Sequence, residues 1–152
     1  MNREAIFGAL FALSESIEWG TPARGWQTRS RRVKLFSDVP VDQQPAIFQA
    51  EHDEVTSQQS NMPYKWVLKA QWIIYQATGN NPDGVPAIEN NLILDAVQAA
   101  FAPQPSDPGY PKRNTLGGLV HHCYIDGSVF KDPGDIDNQG MMVIPILMLV
   151  PE

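Results

Sequence analysis

The stretch YKWVLKAQWIIYQAT, Tyr64 to Thr78, alternates along its length. Trp66, Leu68, Ala70, Trp72 and Ile74 fall on one side of an extended chain, and Lys65, Val67, Lys69 and Gln71 on the other. A period of two sustained this long predicts a strand with one face on a core and one more exposed, the habit of an antiparallel sheet. Before it, after a polar QQSNMP turn, AIFQAEHDEVTS (46–57) alternates in the same way. There Ile47, Gln49, Glu51 and Asp53 oppose Ala46, Phe48, Ala50 and His52. After it, GNNPDGVP (79–86) is a turn by its Gly, Asn, Asp and Pro content.

Further out, Ala5, Ile6, Ala9, Leu10, Leu13 and Ile17 recur at helical spacing and predict a first helix over about 2–17. Gly20, Pro22 and Gly25 end it. A strand is predicted over 28–36, and SDVPVDQQP (37–45) is a loop. Beyond the turn, Ile88, Leu92, Val97, Ala100 and Phe101 predict a second helix ending at Phe101. The proline-rich APQPSDPGYPKRN (102–114) is a long exposed contact loop. A glycine-led strand through His121–Cys123, an acidic loop (126–140) and a last strand (141–150) complete the chain. Helix, three strands, helix, two strands is an α+β fold: one domain, a mostly antiparallel β-sheet and two α-helices.

The chain has 152 residues, the size of one domain. Its single cysteine excludes an internal disulfide and a Cys-rich zinc module. The net charge of −6 is uneven, with six basic and three acidic residues up to Lys34, then five basic and fourteen acidic. An acidic body argues against wrapping nucleic acid, and no sequence-specific nucleic-acid binding is expected. The basic run RSRRVK (29–34) is a solvated face or a surface for an acidic partner. In the opening segment, Glu4 among the leading charges and the lack of a small-residue cleavage motif favour a helix over a signal peptide. The closing run MMVIPILMLVP is too short to span a membrane, which takes about 20 residues. Trp19 and Trp26, in a loop-rich region, pack either on the domain's own core or against a neighbour, since aromatics are enriched at interfaces.

His121, His122 and Cys123 are the obvious candidates for chemistry. On a strand, adjacent side chains point to opposite faces, so His121 and His122 cannot grip one ion. His121 and Cys123 share a face and could supply two ligands, where zinc needs three or four. His52 lies far off in sequence. A cysteine nucleophile needs its base nearby in space, and His122 beside Cys123 on one strand has the wrong geometry. DIDNQG (135–140) opens like a calcium loop, but Ile146 stands where the bidentate Glu belongs. Phosphate-binding glycine loops and a Gly-x-Ser-x-Gly elbow are absent. No catalytic residue, metal or cofactor is expected.

Taken in order, the segments resemble the tail terminator proteins of long-tailed bacteriophages, also called minor tail or tail-completion proteins. The stretches that carry the resemblance are REAIFGALFAL, VPVDQQPAIFQAE, YKWVLKAQWIIYQAT, IENNLILDAVQAAF, NTLGGLVHHCYIDG and GMMVIPILMLVP. The resemblance implies a non-enzymatic virion protein, assembled in the host cytoplasm and placed in the tail–neck region. It implies a ring, commonly a hexamer, that meets the tail tube protein on one side and a head-completion or neck protein on the other. Arg29, Arg31 and Arg32 are candidates for a polar contact or a lumen-facing surface. Tyr110, Lys112 and Arg113 are candidates for contact with a neighbouring subunit or partner. The alternatives are another neck component, such as a head-closure or head–tail joining protein, or a small metal-dependent hydrolase using His52, His121 and Cys123.

Overall fold

The computed structural model describes residues 1–79 and 81–151. Helix α1 (Arg3–Leu13) opens on Asn2, whose side chain accepts from the Ala5 amide at 3.0 Å, and closes on Ser14, whose hydroxyl donates to the Phe11 carbonyl. The remaining elements are β1 (Thr28–Ser30), β2 (Ala46–Ser57), β3 (Lys65–Ala77), α2 (Pro86–Ala100), β4 (His122–Ile125), β5 (Phe130–Asp132) and β6 (Gln139–Pro151). All six strands form one sheet in the order β1-β2-β3-β6-β4, with β5 also on β6. Every pairing is antiparallel except β1 on β2. The α+β class with a mostly antiparallel sheet and two helices is the fold.

Strands β3 and β6 pair along their whole length, from Lys65 opposite Pro151 to Ala77 opposite Gln139. Both helices cover the same side of this sheet. Ile6, Phe7 and Leu10 of α1 and Ile93 and Val97 of α2 share a core with Leu68, Trp72, Ile74, Met142, Ile144, Ile146 and Met148. Buried Gln49 ties the layers: its amide donates to the Phe7 carbonyl at 2.9 Å, and its oxygen accepts from Trp72 Nε1 at 3.0 Å. Trp19 and Trp26 belong to this body, with rings 4.7 Å apart, Trp26 donating to the Ser14 carbonyl and Trp19 to Glu89.

Three expectations change. The strand expected over 28–36 is only three residues long, and the chain then crosses the opposite side of the sheet through two 3-10 turns, Phe36–Asp38 and Val41–Gln43. There Phe36 and Val39 pack on Phe48 and Tyr75. The expected acidic loop contains strand β5. It and β4 share one edge of β6, and the gap between them falls at Pro145, whose carbonyl takes the Asp126 amide. A proline has no N–H to give on that side, so the edge ladder breaks there. Finally, α2 is turned differently from its expected phase. Asn90, Ile93 and Val97 face the sheet, while Ile88 and Leu92 point outward.

Candidate interface surfaces

The helix-free side of the sheet is apolar over much of its area. Val67 and Ile73 of β3, Val143, Pro145, Leu147 and Leu149 of β6 and Tyr124 of β4 are half-buried there, and Val55 of β2 is 47% exposed. His122 stacks on Tyr124 with ring centres 4.7 Å apart, and its Nδ1 is buried without a hydrogen-bond partner. The short segment 36–43 covers only the end of this face around Phe48 and Tyr75. Lys65 and Lys69 rise from the same face. Lys69 pairs with Asp53 at 3.2 Å, while among the described residues Lys65 makes no ion pair. At the rim, Arg113 Nη1 donates to the His121 carbonyl at 2.9 Å and touches its Nδ1 at 2.8 Å.

A second apolar patch lies beyond the other layer. Val85, Ile88 and Leu92 form a stripe on the outer side of α2, 60%, 59% and 37% exposed, with exposed Asp83 and Asp95 at its ends. The helix carries no lysine or arginine, and its Glu89 is taken by Arg24 at 2.8 Å and by Trp19. These Glu89 contacts tie α2 with Ile93 and Val97 turned to the sheet and the stripe turned out.

The candidate arginines have different surroundings. Arg29 is docked on α1: it donates to Ser14 Oγ and to the Phe11 carbonyl, both at 3.0 Å, and lies over the Phe11 ring at 4.4 Å. It satisfies a carbonyl at the helix C-terminus, where a cation is favoured. Arg31 bridges Glu4 of α1 and Glu51 of β2, and its hydrogen bond holds the Glu4 carboxyl below the ordinary carboxylate range. Arg32 is exposed, and among the described residues its backbone amide, bonded to Ser30 Oγ, is its one hydrogen-bonding group with a partner.

In the loop 102–114, Tyr110 and Lys112 are exposed and Arg113 is half-buried. The loop is held by Asp107, which is not among the sequence's candidate contact residues. Asp107 accepts from the Gly109 amide (2.7 Å), Thr115 Oγ1 (2.7 Å), the Thr115 amide (3.0 Å) and the Gly117 amide (3.4 Å). Burial works against its charge, but these hydrogen bonds prevail and hold its carboxyl below the ordinary value. Gly109 is required here, because a Cβ would stand 2.6 Å from the Arg113 carbonyl. The Asp-Pro-Gly sequence, an Asx-turn signature, was the available clue.

The three residues of the hydrolase alternative are kept apart. Strand β4 starts only at His122, because Leu116, Gly117 and Gly118 take left-handed conformations and turn the chain before it. His121 is therefore exposed at the rim and lies outside the strand, so the shared strand face expected for it and Cys123 is not formed. Cys123 is fully buried on the helix side, where burial pushes its thiol up to about 12. His52 is on β2, exposed and bonded to Asp53 on the helix-free side. Among the described residues no three His, Cys, Asp or Glu side chains are grouped as a metal site would need, and no helix is long and apolar enough to cross a membrane.

The molecule is thus, by class, a two-layer α+β domain with one sheet face under helices and the other largely bare. A scan against protein-family models finds no match to this chain, and a search of curated proteins finds none either.

Proposed function

We propose that this chain is a tail terminator: a structural virion subunit that joins copies of itself in a ring, commonly a hexamer, on the end of a phage tail tube. One ring face matches the last layer of tube protein. The other does not propagate it, so elongation stops and a surface for the head-completion or neck protein is left. In this reading the chain acts by shape and interface complementarity, without a catalytic residue, metal or cofactor.

The observation that supports it is the composition of β6. Its inward residues, Met142, Ile144, Ile146, Met148 and Val150, are buried under the helices, yet its alternate residues Val143, Pro145, Leu147 and Leu149 are equally apolar. A strand with water on one face alternates with polar residues, whereas an unbroken apolar run belongs to a strand covered on both. In this reading the missing cover comes from another molecule, as contiguous apolar surface often marks a protein contact. The layout of segments supports the particular assembly.

The test is to add purified protein to polymerising tail tubes. A terminator fixes tube length and leaves ends that join heads. Unchanged tube length would overturn the reading, and binding to heads or to capped tails without an effect on length would make the protein another neck component.

A further inference from the structure

We infer that the bare sheet face receives the outer side of α2 from a second copy of this chain, so that subunits associate head to tail. The inference rests on the ring-forming reading and names the surfaces that would meet.

Two features point to this occupant. The first is position. The stripe Val85, Ile88 and Leu92 and the patch Val55, Val67, Leu147 and Leu149 lie on opposite sides of one protomer, because α2 covers the helix side of the sheet and the patch is on the other. One protomer therefore cannot bring them together, but two copies can. A contact between unlike surfaces leaves one of each kind free at the ends, and repetition gives a ring if the rotation closes.

The second is charge. The α2 stripe is flanked by Asp83 and Asp95, neither ion-paired among the described residues; the helix itself carries no cation, and Lys131 of β5 reaches it only at Asn91, to one side of the stripe. The sheet patch is rimmed by Lys65 and Arg113 at its Val55–Leu149 end, where Asp53 is already held by Lys69; exposed Asp126 lies at the other end, beside Pro145. An acidic-rimmed apolar stripe and a basic-rimmed apolar face are complementary to each other, whereas each pairing of like surfaces sets like charges together. The dimensions also agree. From Val85 to Leu92 is about 10 Å of helix at 1.5 Å per residue, and three adjacent strands span about 10 Å.

Cysteine cross-linking tests the arrangement, because buried Cys123 does not compete for reagent. Ile88→Cys and Val55→Cys place thiols at two exposed positions, so neither disturbs the core. Oxidising the two variants mixed at high concentration should give an 88–55 linked heterodimer in several-fold excess over links in either variant alone. The double variant should give a ladder of linked oligomers, and higher salt should lower the yield. Links confined to 88–88 or 55–55, or none, would overturn the inference. Tube capping by the wild type without 88–55 links would remove this interface while the capping reading stands. Links without capping would support the interface and remove the capping reading.

Discussion

Strands β3 and β6 build both faces of the sheet from the same stretches of chain, and the two faces have different fates. On one, Trp72, Ile74, Met142 and Ile144 are sealed beneath two helices; on the other, Val67, Ile73, Val143 and Leu149 are only half-covered. On the helix side Gln49 joins a buried amide to a buried indole, although Gln76 Oε1 near α2 has no partner; on the bare side His122 Nδ1 is buried without one. One face is complete within a single chain. The other has the composition of an interior and the exposure of a surface.

The largest effect that would break this comparison lies under the helices. Trp72→Ala removes a fully buried ring packed at a tilt 5.1 Å from Phe101 and leaves Gln49 half-satisfied. Chemical denaturation should show a loss of about 3–5 kcal/mol; a loss below 1 kcal/mol would mean the helix layer is loosely seated.

Next comes the loop knot at Asp107. Asp107→Asn keeps the shape but loses the charge-assisted bonds, and should cost about 1.5–3 kcal/mol at neutral pH. The carboxyl's folded value is depressed, so its stabilisation is present above the ordinary carboxylate range and is lost as pH falls through the folded value. Wild type and variant should therefore converge in stability below about pH 4. A gap that stays constant across pH would place the effect in packing instead.

The smallest stability effect belongs to the exposed surfaces. Val55→Thr and Ile88→Ser should each leave the isolated chain within about 0.5 kcal/mol of wild type. A cost of core size at either position would show that these surfaces are already engaged within one chain.

How much of this was legible follows from how local each signal is. Residues 46–57 and the long central strand could be read from alternation, because a period of two is a property of neighbours along the chain. Strand β5, three residues long and exposed, has no periodicity to read and exists because β6 offers it an edge. Of the candidate contact residues, Arg29 looked like part of a basic surface, yet its role is set by a helix end that only folding brings near. Strand alternation separated His121 from His122 but put His121 with Cys123; their actual positions depend on the left-handed turn at Leu116–Gly118.

By itself, then, the sequence determined the class: the two helices, the long strands β2, β3 and β6, and that one face of β3 is a core face. It did so because burial on one side of a strand or helix imposes a repeat that local order records. Tertiary structure alone decided which side of α2 faces the sheet. The helix carries apolar residues on two sides; Ile93 and Val97 are the ones sealed in the core, and Glu89, held by Arg24 and Trp19 from a segment some seventy residues away, ties the helix in that orientation. That choice leaves Ile88 and Leu92 facing outward, opposite a sheet face still uncovered, since contacts distant in the chain, unlike periodicity, leave no regular trace in it.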